Sequence, residues 1–172
     1  GLDVFEAVGE AVALIQSTMP STITLDLEID HDVGTIVGDK SQITSALINL
    51  SSNAIDAMVG KTGSLGLSLA ATSVDTAEAR KISNLEAGDY ARISVSDTGT
   101  GMDDEILHRV LDPFFTTKGV GSGTGMGLAM VYGIVSNHGG ALDISSSPGE
   151  GTTVTVYLPL LEESENDVLS GS

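Results

Sequence analysis

Two asparagines four residues apart, Asn49 and Asn53, lie inside the stretch Gln42 to Met58, QITSALINLSSNAIDAM. In a helix, side chains at that spacing share a face. Ile43, Leu47, Leu50, Ala54 and Met58 recur at steps of three and four and form an apolar stripe on another side. At about 100° per residue the Asn pair sits roughly a quarter turn from the centre of that stripe, on the border between core and surface. Two carboxamides placed there, with Gln42 and Asp56 nearby, offer oxygens and NH2 groups to any cleft the helix borders. Two solvated Asn on an amphipathic helix leave the same pattern, so the spacing alone does not choose.

Asp97 ends an alternating run, Tyr90 to Ser96, and opens the turn Asp97-Thr98-Gly99-Thr100-Gly101. A carboxylate at a strand end, with Gly99 and Gly101 removing side-chain bulk, can accept hydrogen bonds from a planar amine such as that of adenine. An ordinary turn Asp ahead of two glycines has the same appearance. Gly119, Gly121, Gly123, Gly125 and Gly127 alternate into the start of a helix, with Lys118 just before them. Backbone N–H groups freed of side chains approach an anion closely, and a helix N-terminus adds partial positive charge. The run lacks the GxxxxGK[ST] spacing and does not follow a strand, so neither common nucleotide fingerprint applies and a plain Gly-rich loop remains the alternative. Phe114 and Phe115 sit in this irregular segment, either as anchors to the core or as the hinge of a lid. His31 lies in a turn exposed to water. His138 lies at a helix C-terminus, where a cation is favoured. Together with His108 they show no metal-binding spacing.

These residues need a frame. Val4 to Ile15 is predicted as a helix capped by Asp3, and Asp39 caps the Asn-bearing helix. Ile23 to Ile29 alternates apolar and acidic, which predicts a strand with Ile23, Leu25, Leu27 and Ile29 facing in. Thr35 to Val37, Leu65 to Ser73, Tyr90 to Ser96, Ala141 to Ser145 and Thr152 to Leu158 are the other expected strands. Val74 to Gly88 has no clean period and is expected to be a loop. Asp103 to Leu111 and Met126 to Asn137 are expected helices, the latter stopped by Gly139 and Gly140. The order predicts an α+β fold: a two-layer sandwich, its mixed and mostly antiparallel sheet covered on one face by three main helices.

The 172 residues suit one domain, expected over 1–160, with 161–172 as an acidic tail or linker. Seven basic against 24 acidic side chains give a net charge of −17, which argues against nucleic acid or an anionic membrane as a partner. A phosphate ligand would have to be neutralised locally, by a metal ion, helix termini or one Lys. With no Cys there is neither a disulfide nor a thiolate site, which suits a reducing compartment. No apolar run approaches membrane-spanning length and no signal peptide is evident.

Read jointly and in order, N-x-x-x-N (Asn49, Asn53), D-x-G-x-G from Asp97, D-P-F-F-T-T-K ending at Lys118, G-x-G-M-G-L from Gly123 and G-E-G-T-T from Gly149 resemble the ATP-binding catalytic domain of sensor histidine kinases, within the GHKL ATPase superfamily. The resemblance runs from Leu2 to Pro159. NAIDAM, LDPFFTTK and GMGLAMVYGIVSNHGG are similar to the nitrogen-regulatory and hybrid-kinase branch. The resemblance implies the Bergerat fold and ATP or ADP with Mg2+ as ligands. It implies Asn53 on the metal and Asn49 on phosphate or a metal-bound water. Asp97 would take the adenine amine, with Gly101 and Thr152 completing that pocket. Lys118 and the segment Gly123, Thr124, Gly125, Met126, Gly127 and Leu128 would hold the phosphates. Asp56, Gly99, Met102 and Phe115 join the nucleotide contacts, Asn49 and Lys118 take the catalytic roles, and Thr98 to Thr124 forms a lid. Asp56, Ala57 and Met58 stand where a Lys and an aromatic often follow the second Asn, so this helix adds no further cation.

None of the three His residues sits in a phosphoacceptor context. The resemblance therefore implies a separate dimerisation and histidine-phosphotransfer domain in the same protein and a response regulator or receiver domain downstream. It implies a cytoplasmic location, in a protein that can be membrane-anchored elsewhere. ATP-driven switches of the chaperone, gyrase and mismatch-repair kind carry a Glu where Asn49 stands, and Asn cannot take a proton from water. Such a switch, or a nucleotide-binding regulatory module, is the alternative.

Overall fold

The computed structural model describes residues 2–58, 62–82, 85–99 and 124–161. Helix α1 (Val4–Thr18) starts at Asp3, whose carboxylate accepts the Phe5 N–H at 3.0 Å. Helix α2 (Lys40–Asp56) starts at Asp39, whose carboxylate accepts the Ser41 N–H at 2.9 Å. Both caps satisfy an otherwise orphaned donor of the first turn. Helix α4 (Thr124–Asn137) ends in a Schellman turn: Gly139 donates to Ser136, Gly140 donates to Val135, and Gly139 takes φ 74°.

The main sheet has the order β2-β4-β5-β7-β6, formed by β2 (Ile23–Ile29), β4 (Gly63–Val74), β5 (Gly88–Asp97), β7 (Gly151–Pro159) and β6 (Ala141–Ser147). Only the β2–β4 pairing among these is parallel, because α2 carries the chain back between them. A small second sheet pairs β1 (Leu2–Asp3) with β3 (Thr35–Ile36). Helices α1, α2 and α4 lie side by side on one face, with α2 in the middle and over β5. The expected two-layer arrangement is the one observed.

The register lines up the inward side chains in rows. Ile144, Val154, Val95 and Leu67 form one row and Leu142, Val156, Ile93 and Leu69 the next. Beneath the helices these rows meet Ile43, Leu47, Leu50 and Ala54 of α2 and Val131 and Val135 of α4, all buried. One step further toward the β5 C-terminus the row becomes Ser146, Thr152, Asp97 and Leu65. The core ends there and polar chemistry begins.

One expectation needs correction and three gain detail. Residues 74–88 are not simply a loop: α3 (Thr76–Ile82) occupies the middle of the segment. Asp75 caps it, accepting the Glu78 N–H at 2.8 Å, and Ala79 packs with Val74 and Tyr90 in a small satellite cluster. Two turns in which Ala79 is the one buried side chain among those described carry no visible period, but Asp75-x-x-Glu78 is the residue pairing of a capping box. Leu27 faces in with its register partner Leu67 yet is 41% exposed, because β2 is an edge strand. His31 is exposed but not merely solvated, its ring lying against Phe5 with centroids 4.6 Å apart. His138 ends α4 as expected, and its ring also ties α4 to the start of α2: Nε2 lies 3.1 Å from the Asp39 N–H and Nδ1 lies 2.7 Å from the Ile134 carbonyl. The expected helix over Asp103 to Leu111, the segment from Pro113, and residues 162–172 of the tail lie outside the described residues. No helix among the described residues is long and apolar enough to cross a membrane.

Candidate functional site

Asp97 is the last residue of β5, and its inward side chain is half-buried. Its Oδ1 accepts the Gly99 N–H at 2.8 Å, and the Thr152 N–H adds a second backbone bond. Burial nevertheless pushes its carboxyl above the ordinary value, because the two N–H groups do not replace the lost water. Such a carboxylate is short of donors and suits a ligand amine.

The surrounding backbone explains the glycines. A Cβ on Gly99 would come within 2.7 Å of the Ala57 carbonyl and 2.9 Å of Asp97 Oδ1. Gly151 takes φ 97°, and a Cβ there would strike the Asp97 carbonyl. Glycine at 151 therefore lets β7 close over the Asp97 turn and bring Thr152 to it. The Thr152 hydroxyl pairs with that of Ser146 at 2.8 Å. Gly151 and Ser146 were not among the sequence candidates, although the second Gly of G-E-G-T-T was the available signal for the first.

Asn49 and Asn53 are both half-buried on α2. Asn49 Nδ2 approaches the Met130 sulfur at 4.0 Å, across an open groove of about 480 Å3 lined by Gln42, Ser45, Ile48 and Ile134 as well. One terminal atom of Asn53, Nδ2, is buried with no hydrogen-bond partner among the described residues. Rotation of the carboxamide exchanges that nitrogen for its oxygen. Leaving either atom unpaired costs stability, so the site keeps a polar group in reserve.

The pairing of α2 with α4 places this reserve. Asp39 meets His138 and Asn49 meets Met130, so the two helices run antiparallel. Four residues further along α2, about 6 Å at 1.5 Å per residue, the first turn of α4 stands alongside Asn53. That turn contains Thr124, Gly125, Met126, Gly127 and Leu128, so its orphan N–H groups and partial positive charge fall beside the carboxamide. Asp56 is exposed at the end of α2. Gly101, Met102, Phe115, Lys118 and Gly123 lie outside the described residues.

One end of the sheet thus brings together an under-solvated carboxylate, a spare carboxamide and a helix N-terminus. The set fits an adenine nucleotide, with its amine at Asp97 and its phosphates toward α4. No cluster of three His, Cys, Asp or Glu side chains occurs among the described residues. The Asn53 oxygen, with the phosphates themselves, fits a hard divalent cation such as Mg2+.

Residues 38–162 match the family model described as histidine kinase-, DNA gyrase B- and HSP90-like ATPase. The chain is similar to sensor kinase CckA of Brucella abortus (strain 2308), 36% identical over 169 residues, which is 96% of this chain and 18% of the relative. It is similar to sensor histidine kinase ZraS of Escherichia coli (strain K12), 31% identical over 160 residues, 92% of this chain and 30% of the relative. It spans less than a third of the length of either. In structure it is similar to the catalytic domain of histidine kinase ThkA, with a TM-score of 0.71 and 24% identity over 92% of this chain and 93% of that one. That likeness is one of fold.

Proposed function

The chain belongs to the family of histidine kinase-, DNA gyrase B- and HSP90-like ATPases, and on that premise we propose that residues 1–160 bind Mg-ATP or Mg-ADP as the catalytic domain of a sensor histidine kinase. The γ-phosphoryl group passes to a histidine on a separate dimerisation and phosphoacceptor domain of the same protein, and from there to a response regulator or receiver domain. Residues 161–172 serve as an acidic tail or linker. The observation that supports this best is the unpartnered Asn53 amide atom beside the first turn of α4, at the same sheet end as Asp97.

Asp97 orients adenine through its exocyclic amine, with Gly99, Gly101, Met102 and Thr152 around the base. Asn53 offers its oxygen to Mg2+. Asn49, one turn away, holds phosphate or a metal-bound water, and Asp56 and Phe115 complete the contacts. Lys118 and the N–H groups of 123–128 take the phosphate charge. Mg2+ supplies further neutralisation of the phosphate oxygens when bound. Residues 98–124 act as the lid. Position 49 lacks a carboxylate to activate water, so the nucleophile comes from outside: a neutral imidazole near pH 7.

The test is phosphotransfer. Mg-[γ-32P]ATP, this chain and a separately supplied phosphoacceptor hairpin should yield acid-labile, base-stable phosphohistidine on the hairpin and none on this chain. Rapid steady-state ATP turnover by the chain alone would overturn the kinase reading in favour of the ATP-driven switch.

A further inference from the structure

Thr98, the first residue of the proposed lid, is tied to two other elements. The last registered pair of β4 with β5 is Leu65 with Asp97. One step beyond it, the Ser64 N–H donates to Thr98 Oγ1 at 3.1 Å. The side chain thus takes over a ladder bond where the β5 backbone leaves the sheet for the Gly99 turn. The same hydroxyl donates to the sulfur of Met58 at 3.6 Å, and Met58 is buried just past the end of α2. The joint leaves no room for a side chain at Gly63, where a Cβ would lie 2.9 Å from Thr98 Oγ1 and within contact of the Met58 sulfur. Gly99 is confined in the same way by Ala57.

Three elements therefore meet at one hydroxyl: the end of α2, which carries Asn53; the start of β4; and the turn that carries Asp97. Asp97 keeps its own backbone bonds from Gly99 and Thr152 without Thr98. Asn53 is held within α2. What Thr98 alone adds is the distance and angle between them. We infer that Thr98 is a positioning residue that sets the spacing between the adenine-binding carboxylate and the phosphate-side carboxamide, so that both ends of one nucleotide are bound at once. The inference rests on the nucleotide reading given above.

A ligand spanning both subsites gains affinity over one that fills only the first, provided the spacing is held. Thr98→Val keeps the shape and removes both hydrogen bonds, whereas Thr98→Ser keeps the hydroxyl. Calorimetry with adenosine and with Mg-ADP measures the affinity gained by adding the phosphates. Thr98→Val is expected to reduce that gain by roughly 10-fold, the scale of one or two lost hydrogen bonds, while leaving the adenosine Kd nearly unchanged. Thr98→Ser should restore it. Thr98→Ala, which adds no methyl groups to the joint, gives the same measurement if Thr98→Val does not fold. An equal loss for adenosine and Mg-ADP, or an unchanged gain in a folded hydroxyl-free variant, overturns the positioning role. Failure of the unsubstituted chain to bind any adenine nucleotide would overturn the nucleotide reading instead.

Discussion

At its N-terminal end, helix α2 is closed by bonds that use the groups present. The Asp39 carboxylate receives both the N–H and the hydroxyl of Ser41, and His138 spends one ring nitrogen on Asp39 and the other on Ile134. At its C-terminal end the same helix carries Asn53 with a buried amide atom unmatched among the described residues, and packs through Ala57 and Met58 on the turn after Asp97, whose half-burial raises its carboxyl. The first end resembles any well-made helix junction, where polar groups are buried only with partners. The second retains unpaired polar capacity, which stability alone would select against. The contrast sets an end whose polar groups are matched against an end that the proposed function assigns to a ligand.

The sharpest way to break this comparison is Asn53→Ala. If the spare carboxamide is kept for a ligand, Mg-ATP affinity should fall about 100-fold or more, the scale of a lost charge-assisted contact of a few kcal/mol. Tm should hold or rise, because an unpaired buried atom is removed. A clear drop in Tm with unchanged Mg-ATP affinity by calorimetry would show that Asn53 belongs with the structural end.

Asp97→Asn comes next. The amide cannot offer two acceptor oxygens to adenine, so ATP affinity should fall about 10- to 100-fold and the preference for ATP over GTP should shrink. Stability should move the other way. The Asp97 carboxyl sits above its ordinary value of 3.8 in the folded chain, so the folded state holds that proton more tightly than the unfolded one. Stability from this group is fully present below the ordinary value and is lost as pH rises through the folded value. At neutral pH the charge is a cost, and Asn removes it. Denaturation of the ligand-free protein across pH should show the variant gaining on its parent as pH rises. A parent that instead gains stability over that range would contradict the assignment.

The structural end should behave in the opposite sense. His138→Ala removes the ring's bonds to the exposed Asp39 N–H and to the Ile134 carbonyl, which keeps the backbone N–H of residue 138, at a cost of about 0.5–1.5 kcal/mol. Nucleotide affinity should change less than twofold, because His138 lies at the far end of α2 from Asn53. Chemical denaturation gives the first quantity and calorimetry the second.

How much of this contrast was legible in the sequence depended on the range of the interaction. The caps Asp3 and Asp39, the Gly139-Gly140 stop and the alternating strands are local, so residue type and spacing were enough to place them. Asn49, Asn53 and Asp97 were legible as candidates because helical and strand periods fix which side they face. The His138–Asp39 tie was not, because the two residues are 99 apart in sequence. Gly99 was legible as a glycine that clears space beside Asp97, but both it and Gly63 also answer to the end of α2, a packing contact that no local pattern encodes. Helix α3 escaped because one buried Ala79 gives no period. Leu27 misled because alternation shows a strand's two faces but not whether the strand lies at an edge.

The smallest predicted effect tests the rule behind the comparison at a position beside the site. Ser51 is 1% exposed on the apolar stripe of α2, and its hydroxyl has no hydrogen-bond partner among the described residues. It lies two residues before Asn53 but faces the core. An unpaired buried hydroxyl carries its desolvation cost whether or not a ligand is present. Ser51→Ala removes that cost and improves helix propensity, while the methyl side chain fits where the hydroxymethyl did. The variant should be more stable by roughly 0.5–1 kcal/mol, with Mg-ATP affinity unchanged. Asn53→Ala and Ser51→Ala then separate two kinds of unpaired atom. One, at the cleft border, is kept for a ligand; the other, in the core, is a cost with no return. A lower Tm for Ser51→Ala would mean that the hydroxyl does find an acceptor, the Leu47 carbonyl one turn back being the nearest in sequence. Lost Mg-ATP affinity would instead extend the ligand-holding region from the Asn49–Asn53 face to the core-facing side of α2.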